Sequence, residues 1–256
     1  MTKTHLIIPD QHAHPKYNNK RAEWLSELIN DVRPDVVVNI GDAADMPSLC
    51  SYDKGTKSFI GRSYEQDINA HLDFQEKLFS SLRKKKKKLP RRIFIEGNHD
   101  HRIKRAIEVQ PELEGERFGV SFRDLDLARH YNDVVEYDGA TPGIINVDGV
   151  SYSHFLVSGV LGRAISGEHP AYTLLSKNFT SCTVGHLHTA DLCFRTDTNG
   201  NRRIGLVCGV FQDWDAHFAG QANRIWWRGV VVKRGVDKGN YDPEFISIDQ
   251  LRKEYG

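Results

Sequence analysis

The sequence predicts an α/β fold in which two sheets pack together with helices outside, and three observations carry that prediction. Apolar runs alternate with an amphipathic stretch in the first hundred residues, as parallel strands joined by a helical crossover require. Residues 144–210 instead hold two hairpin signatures, Asp148-Gly149 and Asn199-Gly200, each set between apolar runs. Residues suited to chemistry recur just after several of these runs, at Asp10, Asp42, Asn98 and His186, so folding would collect them at a sheet edge.

The elements follow in order. His5 to Pro9 reads as a first strand that delivers Asp10 and His12. Trp24, Leu25, Leu28, Ile29 and Val32 have helical spacing, and Pro34 closes that helix. Val36 to Ile40 is a second strand ending at Gly41-Asp42. Pro47 to Tyr64 is polar with little periodicity and reads as a loop, whereas Tyr64 to Leu82 places Ile68, Leu72, Gln75, Leu78 and Phe79 on one helical face. Ile93 to Ile95 is a buried strand, and Gly97 allows a sharp turn into Asn98-His99-Asp100.

A basic helix over His101 to Val109 precedes a polar region reaching Gly139, with a short helix at Phe122 to Arg129. The first hairpin pairs Ile144–Val147 with Val150–Phe155, whose second strand carries His154. A glycine-rich loop at 157–169 leads to a helix at Tyr172 to Lys177. Phe179 to Val184 is a strand that delivers Gly185-His186-Leu187-His188. Leu192–Thr196 and Ile204–Val210 form the second hairpin, and Trp226–Val232 and Phe245–Ile248 read as closing strands.

The chain has 256 residues, enough for a sizeable core, and a set of ligands running from Asp10 to His188 favours one domain that gathers them. With 35 basic against 34 acidic residues, the formal charge of +1 gives no global field for a polyanion, so any such binding must be local. One local feature is the run Arg83 to Lys88 with Arg91 and Arg92 beyond it. It reads as a solvated helix end whose cations complement the dipole, or, more sharply, as a phosphate-backbone contact. The four cysteines show no C-x-x-C pairing, which excludes a zinc ribbon and a dithiol redox motif. Leu6-Ile7-Ile8 falls far short of a signal-peptide core, and no later run could span a bilayer, so a cytoplasmic protein without membrane contact is expected.

Oxygen ligands mixed with imidazoles suit Mn, Fe or Zn better than Ca or Mg. The ligands are too many for one tetrahedral zinc. Two adjacent ions sharing one carboxylate accommodate them, and such a pair can activate water while clamping both oxygens of an in-line displacement at phosphorus. Phosphate-ester hydrolysis is therefore the reaction class expected.

The residues D-x-H at Asp10 and His12, G-D at Gly41-Asp42, G-N-H-D at Gly97 to Asp100, then His154, then G-H-x-H at Gly185 to His188 resemble the calcineurin-like metallophosphoesterase superfamily. Each piece is weak, but the ordered set is specific and spans roughly residues 5–190. The chain looks most like small members encoded by bacteriophages. The resemblance implies a four-layer α/β/β/α sandwich of two packed mixed sheets with flanking helices, as a single domain over 1–256 with loop insertions near 47–64, 110–139 and 157–169. It implies that Asp10, His12 and His188 hold one metal, that Asn98, His154 and His186 hold a second, and that Asp42 bridges them. The ions would be divalent transition metals, manganese first, with iron, zinc or nickel as alternatives. His99 would serve the leaving oxygen or the phosphoryl group, with Asp100 orienting it by a hydrogen bond.

One departure from the superfamily matters. Its phosphoprotein phosphatase branch reads G-D-x-x-D-R-G, whereas Gly41 to Pro47 keeps Asp45 but has Met46 where the arginine stands. A phosphodiesterase acting on nucleotides or nucleic acid is favoured, with a nucleotide or small-metabolite phosphomonoesterase as the alternative and a non-catalytic nucleic-acid-binding module as the reading from another class. Outside the signature, His14 and His101 read as surface or supporting residues and Asp45 as a support or cap. Arg102, Lys104 and Arg105 read as a solvated helix face that could meet phosphate, Trp214, Trp226 and Trp227 as packing that could stack on a base, and Tyr52, Arg62 and Arg163 as loop residues near specificity. The sequence leaves the oligomeric state open.

Overall fold

The computed structural model describes residues 2–84, 89–115 and 119–256. Lys85 to Lys88 of the basic run therefore lie outside the described residues. The chain opens with β1 (Lys3–Ile8), α1 (Lys20–Val32) and β2 (Val36–Asn39), and β1 and β2 pair in parallel. The alternation of β1 is complete: Leu6 and Ile8 join the cluster under the helices, while Ile7 faces the opposite cluster. Helix α1 begins four residues before the predicted Trp24, and Arg33 ends it in the left-handed region with its N–H on the Ile29 carbonyl.

Segment 47–64, expected as loop, is built from three short 3₁₀ turns. Then come α2 (Tyr64–Lys84), β3 (Arg91–Ile95) and α3 (Arg102–Val109). The predicted helix at 122–129 is divided. Phe122–Leu125 forms a capped 3₁₀ turn, Asp126 turns left-handed, and α4 (Leu127–His130) follows. Strand β4 (Asp133–Val135) was not expected; three residues hold no readable period, and its partner in β3 is forty residues away.

The hairpin of β5 (Ile145–Val147) and β6 (Val150–Tyr152) stops three residues before the predicted Phe155, which leaves His154 on the turn beyond the strand. Within 157–169, β7 (Val157–Ser158) and β8 (Arg163–Ala164) make a two-residue ladder. Next are α5 (Pro170–Asn178), β9 (Ser181–Val184), β10 (Ala190–Thr196) and β11 (Arg202–Cys208). Phe179, predicted as strand, is the left-handed residue that ends α5. The late strand is displaced too: β12 (Gly229–Asp237) starts after Trp226 and Trp227, and β13 (Asn240–Ser247) runs into α6 (Ile248–Tyr255), a helix capped by Ser247 that apolar runs did not announce.

Two mixed sheets result. One has the order β13-β12-β1-β2-β3-β4 and the other β10-β11-β9-β6-β5. One apolar cluster, with Leu25, Phe74, Phe79 and Leu251, fills the space between the first sheet and α1, α2 and α6. A second, with Ile7, Val38, Ile95, Leu206 and Val231, lies between the sheets, and a smaller one with Leu174, Cys182 and Val207 seals the second sheet under α5. The order of layers is thus helix, sheet, sheet, helix. None of the described helices is long and apolar enough to cross a membrane.

Candidate metal centre

Parallel pairing sets the site. Strands β1, β2 and β3 run the same way, so Asp10, Asp42 and Asn98, which follow them, emerge at one edge. In the second sheet β6 and β9 are also parallel, and they deliver His154 and His186. Backbone bonds tie these turns together: His12 N–H donates to the Asp42 carbonyl at 2.9 Å, Gly185 N–H to His154 at 3.0 Å and Phe211 N–H to Asp10 at 2.8 Å. The motif glycines serve close approach. A Cβ at Gly97 would strike the Asp42 amide and carboxylate, and one at Gly185 would strike the Asp10 carboxylate.

Three overlapping sets of ligand atoms each lie within 4.8 Å of one another: Asp10, His12 and His188; His12, Asp42 and His99; Asp42, His154 and His186. Asp42 belongs to two of them. Its Oδ2 is 3.9 Å from His12 Nε2 and 3.4 Å from His154 Nε2, which puts it between the outer sets. His12 Nε2 faces His188 Nε2 at 3.1 Å, and His154 Nε2 faces Asn98 Oδ1 at 3.0 Å. The seven residues expected as ligands are therefore brought together.

Hydrogen bonds behind the rings orient them. His154 Nδ1–H donates to the Ile40 carbonyl at 3.0 Å and His12 Nδ1–H to the Asp45 carboxylate at 2.9 Å, which turns both Nε2 lone pairs inward. The Asp10 carboxylate accepts from His186 N–H through Oδ2 at 2.9 Å, and its buried Oδ1 has no protein partner. A buried carboxylate oxygen without a donor is costly unless a cation meets it. This donor set fits divalent metal ions. The backbone points the same way: His12, Asp42, His186 and His188 all have positive φ, between 44° and 65°, a conformation that costs non-glycine residues energy.

Burial alone would raise the Asp42 carboxyl, but His154, His99 and His12 outweigh it and hold the group well below the usual carboxylate range. Asp10 is lowered against the same burial by His154 and His188. Burial pulls His154 down, yet Asp42 and Asp10 lift it to about 9, while burial and His154 press His186 down to about 4. A cation placed there would take over the role of the proton on His154.

Asp100 departs from its expected role. Burial and the nearby Asp42 charge push it up to about 7, and its carboxylate accepts from the Gly97, Ala43 and Ala44 amides at 3.0, 3.4 and 3.1 Å. It bonds these two turns together rather than His99. The group that holds His99 is Asp45, whose carbonyl accepts from Nδ1–H at 2.8 Å and whose carboxylate lies 3.2 Å away.

Arg102 is not on a solvated face. Its guanidinium donates to the Asp45 and Met46 carbonyls at 2.8 and 3.2 Å and to His99 Nε2 at 3.2 Å. A signal existed, because residues three apart at a helix start meet, and Arg102 follows His99 by three. Lys104 instead pairs with Glu96 and Glu136, both at 2.7 Å. His14 reaches Asp45 at 3.8 Å, and His101 pairs with Glu96 at 2.8 Å while stacking on Tyr137. Trp226 sets its ring edge-on to His188 at 4.3 Å and Trp214 stacks on Tyr17 beside His14, so these two tryptophans border the centre. Trp227 packs on Phe245. Arg62 braces segment 47–62 through the Pro47 carbonyl and Asp53, Tyr52 is exposed, and Arg163 lies on β8.

No family model matches this sequence. The chain is similar to the gene 54 protein of Mycobacterium phage L5, with 28% identity over 255 residues that cover 97% of this chain and 94% of that one. Among solved structures it aligns with TT1561 of Thermus thermophilus over 96% of this chain and 99% of that one, at 10% identity and a TM-score of 0.35, too low to bear on the fold.

Proposed function

We propose that this chain is a dinuclear-metal-dependent phosphoesterase of the calcineurin-like type that hydrolyses phosphodiester bonds of nucleotides or nucleic acid. The observation that carries the reading is Asp42, buried between two sets of inward-facing ligands that share it. Asp10, His12, Asp42 and His188 would hold one ion, and Asp42, Asn98, His154 and His186 the other. Manganese is the first choice for this mix of oxygen and imidazole. When bound, such a pair supplies polarisation of the phosphoryl group and a lowered pKa for water.

The protein's own groups do the rest. His99 donates through Nδ1–H to the Asp45 carbonyl, which leaves Nε2 directed to the centre, 4.0 Å from Asp42 Oδ2. Against burial, which lowers it, the Asp42 charge raises the His99 pKa, and with a second proton at Nε2 the ring holds a phosphoryl oxygen or protonates the departing one. Arg102, anchored on two carbonyls, adds a fixed cation beside it.

The test is hydrolysis by manganese-loaded protein of DNA, RNA, cyclic nucleotides and mononucleotides, with bis-p-nitrophenyl and p-nitrophenyl phosphate as generic esters. Asp42→Asn and His99→Ala serve as controls. Diester cleavage lost in both variants supports the reading. Turnover of monoesters alone would make the protein a phosphomonoesterase, and metal-independent binding without turnover would remove the enzyme reading.

A further inference from the structure

Between α3 and segment 47–62 lies a pocket of about 350 Å³ that begins where Arg102 leaves His99. Its charge is of one sign among the described residues: Arg102, Arg105 and Lys54 line it, and no described carboxylate does. The larger cavity, about 710 Å³ at the opposite strand edge, differs, since its Lys3, Arg33 and Arg91 are answered by Asp35 and Asp148. The smaller pocket is also half apolar in kind. Leu49 and Val109 form a wall, and Tyr52 adds a ring that is 85% exposed. Cations lining a pocket beside an open aromatic ring suit a ligand that is both anionic and flat.

Arg102 links the pocket to the centre. His99 Nδ1 carries its proton to the Asp45 carbonyl, so Nε2 is the acceptor of the Arg102 bond. A phosphate oxygen arriving at His99 would take that N–H in the ring's place, while the guanidinium stays fixed on the Asp45 and Met46 carbonyls.

We infer that this pocket is a nucleoside subsite: Arg102 grips the scissile phosphate, Arg105 and Lys54 hold its flank, and the base lies on Tyr52 against the wall of Leu49 and Val109. The inference rests on the phosphoesterase reading and names its substrate class, one nucleotide unit, either free or at a strand end.

Steady-state hydrolysis by manganese-loaded protein tests it with two esters that share a leaving group: thymidine 5′-p-nitrophenyl phosphate, and methyl p-nitrophenyl phosphate, which lacks the nucleoside. In Tyr52→Ala and the pocket-filling Val109→Trp, KM for the thymidine ester is expected to rise about tenfold or more, with kcat and the methyl ester unaffected. Unchanged KM in both overturns the subsite and leaves the phosphoesterase reading intact. An oligothymidylate carrying the same ester distinguishes the sources: a lower KM points to a strand end and an equal one to a free nucleotide, both supporting the subsite. If the wild type cleaves neither ester, the phosphoesterase reading fails, and calorimetric titration still decides the pocket. Thymidine monophosphate binding tenfold tighter than orthophosphate, lost in Val109→Trp, supports it, and equal affinities overturn it.

Discussion

Asp10, Asp42 and His188 are no more exposed than about a tenth of their surface, and His5, Tyr152 and Lys233, between the same two sheets, are fully buried. The second group is joined in one direction. Lys233 donates to Tyr152 at 3.2 Å, Tyr152 to His5 Nδ1 at 2.8 Å, and His5 Nε2–H to Asp148 at 2.9 Å, with Thr183 also accepting from Lys233. Burial presses the Lys233 ammonium well below its ordinary range, so a neutral amine fits this chain. Of these residues only the terminal Asp148 has a positive φ, and it belongs to a hairpin turn. At the candidate metal centre, by contrast, lone pairs face one another, Asp10 Oδ1 has no protein partner, and four candidate ligands sit on strained backbone. Burial of ionisable groups is common to both, and what separates a centre from core polarity is whether the donors and acceptors are used up.

The largest expected effect breaks the first region. Asp42→Asn removes the shared carboxylate charge, and turnover should fall by roughly a thousandfold with loss of metal, measured by kinetics beside elemental analysis. Full metal content and activity in that variant would put the two regions on the same footing.

Next comes acid stability, which belongs to the second region. Burial holds His5 down at about 4, so the folded protein keeps it neutral where the unfolded chain binds a proton. Stability should be complete above pH ~6.5 and decline as the pH falls toward about 4, by about 3 kcal/mol from this residue. Urea melts across that window should show a flatter pH slope in His5→Gln; an unchanged slope would mean that His5 is protonated in the fold.

Asp45→Asn, which keeps shape but weakens the hold on His12 and His99, should cost about 10- to 100-fold in metal affinity with little change in the melting temperature of the metal-free protein. The smallest effect should come from Lys233→Met. A chain of similar volume replaces a neutral amine, leaving Tyr152 bonded to His5, and stability should change by less than about 1.5 kcal/mol. A loss several times larger would show that the amine organises the sheets.

The candidate ligands were legible because each follows a short apolar run or a turn glycine, and those signals extend over only a few residues. His154 was placed on a strand and lies beyond its end, yet it reaches the same centre. Asp45 was read as a support, but which ring each supporting residue serves was not legible. Asp100 adjoins His99 in sequence but bonds backbone amides of its own turn and of the turn after β2, while Asp45, fifty-four residues away, does the holding. Adjacent side chains in a turn diverge, and proximity in sequence says little about which acid meets a ring.

The sequence by itself determined the α/β class, the helical crossover after β1, the two hairpins and the set of candidate ligand residues, since periodicity, turn chemistry and residue type are local properties. Tertiary structure alone decided that β12 pairs with β1 across more than two hundred residues, that β4 and α6 form, and that Arg102 closes on His99. Those outcomes depend on which distant surfaces meet when the two sheets pack, and no short window of residues contains that information.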